Sequence, residues 1–196
     1  MEIMKTSIKA ILDNIKSAEN FLDEEAINKF EDIIIGSNNI FVTGAGRSGL
    51  AAKAFAMRLM HLGLSAYVVG ETISPAINRD DCIVAISGSG ETNTIVSAAK
   101  IAKTRGSKVL ALTSYPDSTL GQLADSYILV KGRTKKEVDD ENYMKRQIHG
   151  NYTSLTPLGT AFELTTLVFL DAIVSELMEK MEQTESDLKA RHTVLE

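Results

Sequence analysis

Two periodicities divide this chain. Near its start, Ile8, Ile11, Leu12 and Ile15 recur at helical spacing, which predicts a helix from Ile3 to about Phe21. A second helix is expected from a cap at Asp23 to Ile35, stopped by Gly36. The pattern then changes to short unbroken apolar runs at Asn39–Thr43, Ser65–Val69, Cys82–Ile86, Lys108–Leu112 and Tyr127–Val130. Helical stretches fall between them at Leu50–Leu62, Asn93–Thr104 and Leu120–Ala124. Strands without polar alternation are buried on both faces, so such runs alternating with helices predict an α/β fold: a doubly wound five-stranded parallel sheet with helices on both faces.

After Val130 the period is lost. Lys131–Asn151 is polar and mixed in charge, with Tyr143 and His149 inside it, and reads as a long loop that is either functional or simply solvated. Helical character returns at Pro157 and runs through Phe162, Leu170, Val174 and Met181. The chain is therefore read as a single domain, with N-terminal helices over 1–36, a parallel core over 37–130, a polar insertion over 131–156 and C-terminal helices over 157–196. The first helix and the last long one carry more apolar surface than a small sheet covers, which suits either intrachain core or packing between subunits.

Composition narrows the partners. At 196 residues and 44% hydrophobic, the chain can build a sizeable core. Its net charge of −5, with no basic stripe, argues against nucleic acid. No apolar stretch is long enough to cross a bilayer, and Met1–Lys16 is amphipathic with acidic residues, unlike a signal peptide. The single cysteine, Cys82, lies within an apolar run, which excludes an intrachain disulfide and fits a reducing cytoplasm. His61, His149 and His192 are too far apart in sequence to give metal-ligand spacing. A cytoplasmic, metal-free protein is expected.

The candidate chemistry lies in two glycine-rich loops. Ser87-Gly88-Ser89-Gly90-Glu91-Thr92 stands where the third strand turns into a helix. Glycines such as Gly88 let backbone N–H groups approach an anion, and a helix start supplies unpaired N–H groups and a positive dipole end. Hydroxyls of Ser87, Ser89 and Thr92 can serve the remaining phosphate oxygens. No lysine follows, so this is not a nucleotide P-loop. The plainer alternative is a Ser/Gly turn with Thr92 as a helix cap.

The second loop, Gly44-Ala45-Gly46-Arg47-Ser48-Gly49, follows the first strand and matches a dinucleotide fingerprint, with Glu71 near the position of a ribose-binding acid. A nicotinamide-binding domain is thus a competing reading. Against it, Arg47 and Ser48 place a cation and a hydroxyl at a helix start, beside Gly46, which suits a terminal phosphate or a sugar hydroxyl. A dinucleotide domain also needs no second hydroxyl-rich loop.

The two loops together resemble the sugar isomerase (SIS) domain. Within it the chain resembles the 6-phospho-3-hexuloisomerase family, through Ala56–Gly63, Val69–Thr72, Pro157–Glu163 and Arg191–Glu196. The resemblance covers nearly the whole chain, and the charged segment 131–151 departs from it. It implies flavodoxin-like domains assembled as homotetramers, no cofactor, and interconversion of D-arabino-hex-3-ulose 6-phosphate and D-fructose 6-phosphate through an enediol. This reaction belongs to the ribulose monophosphate route of formaldehyde fixation or its reverse. The resemblance also implies that Ser48, Ser87, Ser89 and Thr92 hold the phosphate, while Glu163 and His61 are the acid/base residues. Another phosphosugar isomerase, of the arabinose 5-phosphate type, and a non-catalytic phosphosugar-binding domain are the rivals.

Physical reasoning tests the transfer. A shielded carboxylate at Glu163 can move a proton between C2 and C3, though a first-turn glutamate also simply favours the helix dipole. His61 ends the helix that Ser48 begins, thirteen positions later, or about 20 Å at 1.5 Å per residue. One hexose phosphate cannot touch both, so a catalytic His61 must act on a neighbouring subunit's substrate; the alternative is a polar cap on its own helix. His61 or His192 could assist ring opening of fructose 6-phosphate, because the 3-ketose has its O6 blocked by phosphate. Arg47 could neutralise a developing enediolate or make a surface pair.

Overall fold

Alternate side chains of each central strand pack against opposite helical layers, which is why the strands read as unbroken apolar runs. A computed structural model of the chain describes residues 1–132, 157 and 159–194. Most of the polar insertion, with Tyr143 and His149, lies outside the described residues. The strands are β1 (Ile40–Gly44), β2 (Ala66–Val68), β3 (Cys82–Ile86), β4 (Lys108–Thr113) and β5 (Ser126–Leu129). The α-helices are α1 (Glu2–Ala18), α2 (Glu24–Gly36), α3 (Arg47–His61), α4 (Asn93–Thr104), α5 (Thr119–Leu123), α6 (Thr160–Lys180) and α7 (Glu185–Ala190).

The strands form one five-stranded sheet, all parallel, in the order β2-β1-β3-β4-β5. This is the flavodoxin-like doubly wound arrangement. Ile40, Val42, Val84, Ile86, Leu110 and Leu112 face one core with Phe30 of α2, Phe55 and Leu59 of α3, and Leu170 and Leu177 of α6. Phe41, Ile83, Ala85, Val109 and Ala111 face the other, against Ile95 and Ala99 of α4 and Leu120 of α5. Cys82 is buried in the first of these cores, and burial pushes its thiol pKa up to about 12. From β1 the chain crosses by α3 to β2 at one edge, whereas from β3 it crosses by α4 toward β4 on the other side. That divergence opens a crevice at the carboxyl ends of β1 and β3.

Two helix starts differ from the expected ones. Helix α3 begins at Arg47 rather than Leu50, directly after the glycine turn. Helix α6 begins at Thr160, because Gly159 has φ +88° and cannot continue a helix backward. Pro157 is therefore a turn residue, its carbonyl accepting from the Thr160 N–H at 3.2 Å. Helix α7 lies within the expected C-terminal helices, and a reciprocal capping box between Thr184 and Asp187 starts it.

Candidate active site

Close approach of strand and helix shapes the first loop. A Cβ on Gly44 would lie 2.6 Å from the backbone of Ser48, so glycine alone lets α3 start this near β1. Gly46 then turns the chain with φ +59°, and Arg47 and Ser48 open the helix.

The loop after β3 is held by its own backbone. The Ser87 N–H donates to Leu112 O at 3.0 Å, the Gly90 N–H to Ser87 O at 3.0 Å, and the Ser114 N–H to Gly88 O at 3.1 Å. Gly90 has φ +65°, and a Cβ there would collide with the Ser118 side chain. The Glu91 carboxylate accepts from the Thr119 N–H at 2.9 Å and the Thr119 hydroxyl at 2.8 Å, tying the loop to α5. Thr92 occupies the N-cap of α4, yet its hydroxyl lies 3.1 Å from the Ser87 hydroxyl and makes no capping bond.

Three helix starts converge on one cavity. It measures about 350 Å³ and is lined by Gly46, Arg47 and Ser48 of the first loop, Ser87, Gly88, Ser89 and Thr92 of the second, and Gly159, Phe162 and Glu163 of α6. No side chain caps α3, α4 or α6, whereas Asp23, Ser118 and Thr184 cap α2, α5 and α7. Uncapped helix starts leave N–H donors and dipole ends free for an anion. Glycines and hydroxyls complete a cradle suited to phosphate.

One carboxylate and one guanidinium also face this cavity. Arg47 Nε lies 2.5 Å from Glu163 Oε2, with the arginine side chain 54% exposed and the glutamate 17%. Oε2 itself is buried and makes no hydrogen bond of good geometry, so the contact is ionic. Oε1 rests over Gly159, where a Cβ would approach it to 3.1 Å. The missing side chain at Gly159 thus leaves room for the Glu163 carboxylate beside its own helix start.

Of the candidate residues, Ser48, Ser87, Gly88, Ser89, Thr92, Gly46, Arg47 and Glu163 line this one cavity. His61, His192 and Glu71 are not. His61 lies at the far end of α3, only 2% exposed, its ring stacked on His192 with centroids 4.8 Å apart. Burial, then His192 and Arg58, hold its pKa below the usual value. Arg191 clasps the same corner, donating to His61 O at 3.0 Å. Glu71 pairs with Lys53 at 2.6 Å on the exposed side of α3 and lines no part of the cavity.

Gly159 and Phe162 fall in the Pro157–Glu163 stretch that carried the resemblance but were not expected as site residues; the signal available was a glycine four residues before Glu163. Among the described residues, no group of three or more His, Cys, Asp or Glu is placed to hold a metal ion. No described helix is long and apolar enough to cross a membrane.

Comparison with known proteins agrees with this geometry. The SIS domain family matches residues 33–139, the stretch that carries both loops. An uncharacterised protein of Archaeoglobus fulgidus is 48% identical over 96% of this chain and 98% of its own length. The 3-hexulose-6-phosphate isomerase of Bacillus subtilis is 38% identical over 98% of this chain and 100% of its own. A crystal structure from Methanococcus jannaschii, for which a molecular function of 3-hexulose-6-phosphate isomerase has been inferred, superposes with a TM-score of 0.79. It is 33% identical and covers 96% of this chain and 98% of its own. A family match that contains both phosphate-type loops, joined to full-length relatives sharing the whole fold, makes this chain a member of the SIS domain family.

Proposed function

We propose that this protein is a phosphosugar isomerase that interconverts D-arabino-hex-3-ulose 6-phosphate and D-fructose 6-phosphate. The carrying observation is a carboxylate, Glu163, in the same cavity as the serine loop and three uncapped helix starts. A binding module needs only the cradle, whereas proton transfer between C2 and C3 also requires a base beside the sugar carbons. The named relatives from Bacillus subtilis and Mycobacterium gastri support the choice of sugar.

The phosphate sits on Ser48, Ser87, Ser89, Thr92 and the α3 and α4 N-termini, which fixes the C2–C3 edge beside Glu163. Glu163 takes the proton from C2, and the electron pair of that bond forms the C2=C3 double bond of an enediolate as the C3 carbonyl oxygen gains charge. The O2 hydroxyl proton passes to O3, which moves the enediolate charge to O2. The C2 carbonyl then forms as C3 receives a proton from protonated Glu163. The helix N-termini offset the negative charge of the enediolate.

His61 reaches no atom of this cavity within its own protomer, so its catalytic role belongs to an oligomer. Exposed Ile3, Met4, Ile8 and Leu12 on α1, with Leu50 and Met57 on α3 and Val168 on α6, support assembly of several copies.

The test is a coupled assay for fructose 6-phosphate formed from enzymatically generated hex-3-ulose 6-phosphate, with and without chelator, beside Glu163→Gln. Turnover that resists chelator and is lost in Glu163→Gln, with phosphosugar binding retained, is expected. A folded wild type that binds phosphosugars without turning them over refutes the isomerase; turnover surviving in Glu163→Gln refutes the base.

A further inference from the structure

Arg47 and Glu163 are the only cation and the only anion among the described residues lining the cavity, and they are paired with each other. Each therefore has the other as its charged partner. The pair is also breakable from one side: Arg47 is half exposed and its contact with Oε2 lacks hydrogen-bond geometry, so an anion entering from solvent reaches the guanidinium, while Glu163 is only 17% exposed. A phosphoryl group beside Ser48 offers Arg47 two negative charges and a fork-shaped set of acceptors, a stronger partner than one carboxylate.

We propose that Arg47 is a lock on Glu163 that the substrate's own phosphoryl group opens. In the empty cavity Arg47 neutralises the carboxylate and holds it at the rim. Phosphate entering the serine loop draws the guanidinium away, leaving Glu163 free over the sugar carbons. The base is thus released only by a ligand that carries the phosphate. Arg47 is a positioning residue in this scheme. The proposal rests on reading the cavity as a phosphate site, and it does not require that the sugar be a hexulose.

The test is a double-mutant cycle read by calorimetric titration with inorganic phosphate, which needs no turnover. Arg47→Met, Glu163→Gln and the double variant are compared with wild type. If Glu163 competes for Arg47, Glu163→Gln tightens phosphate binding by roughly three- to tenfold where Arg47 is present. The same substitution has little effect in the Arg47→Met background. Equal tightening in both backgrounds is simple charge repulsion and overturns the lock. No effect in either background overturns it as well, and phosphate failing to bind the wild type overturns the site reading on which it stands.

A second readout uses hydrogen exchange from solvent deuterium into a ketose that lacks phosphate. Added inorganic phosphate should accelerate exchange in wild type but not in Arg47→Met. Acceleration that persists in Arg47→Met sinks the lock, whereas wild type that exchanges no deuterium into fructose 6-phosphate sinks the isomerase reading instead.

Discussion

Gly159→Ala separates the cost of a backbone conformation from the placement of a carboxylate. At φ +88°, an L residue is disfavoured by about 1–2 kcal/mol. For a chain of this size that lowers Tm by about 3–6 °C. The new Cβ also stands 3.1 Å from Glu163 Oε1, so the carboxylate must yield by a few tenths of an ångström. Misplacement by about 1 Å can cost a hundredfold, so this smaller shift should lower kcat roughly three- to fivefold. Gly106→Ala is the matched control. Gly106 has φ +82°, its Cβ would meet Arg79 at 3.3 Å, and it lies before β4 at the opposite end of the sheet. Thermal melts by circular dichroism and steady-state isomerisation are measured on both. Both variants should lose similar stability, while only Gly159→Ala loses kcat. An unchanged kcat in Gly159→Ala, with the stability loss present, refutes the claim that this glycine sets the carboxylate's position.

Three further outcomes are expected. Lys180→Met strands Glu31, whose side chain is 1% exposed and which Lys180 meets at 2.9 Å. Urea unfolding should show a loss of about 3 kcal/mol, partly restored in the Lys180→Met, Glu31→Gln double variant; equal stability of single and double contradicts this. Burial raises the Asp125 carboxyl, but the Lys103 ammonium at 2.7 Å and the Val109 N–H outweigh it and hold the pKa below 3.8. Its contribution is thus present above 3.8 and lost as pH falls through the folded value. Lys103→Met should cost about 1 kcal/mol near neutral pH and almost nothing in strong acid; a pH-independent cost rules out the ion pair as the source. Finally, mixing inactive His61→Ala with inactive Ser89→Ala should restore some activity as hybrids form, and no restoration despite proven subunit exchange removes His61 from the chemistry.

The parallel core was legible because its signals are local. Unbroken runs such as Cys82–Ile86 mark strands buried on both faces, and Gly44, Gly46 and Gly90 mark turns that need a close approach or a positive φ. The serines of the cradle were legible for the same reason, since they sit on those turns. What escaped the sequence is set by partners far along the chain. Thr92 reads as a cap, and only its approach to Ser87 leaves α4 open. Pro157 reads as a first-turn residue until Gly159 moves the helix start. Arg47 and Glu163 are more than a hundred positions apart, and no period or motif predicts that they meet. The stack of His61 on His192 is likewise tertiary, formed when the chain returns past α7 to the end of α3.

Cys82 gives the molecule a built-in clock. It is the chain's one cysteine, sits at the start of the strand that ends in the serine loop, and ionises only near pH 12. A thiol in that state does not react while the sheet is closed. The alkylation rate of the unmodified protein therefore counts how often the central strands come apart. Any compound that binds the cavity of the folded chain and not the opened one slows that count in proportion to its binding. Ligands can be ranked this way with no label, no engineered probe and no knowledge of the reaction they undergo.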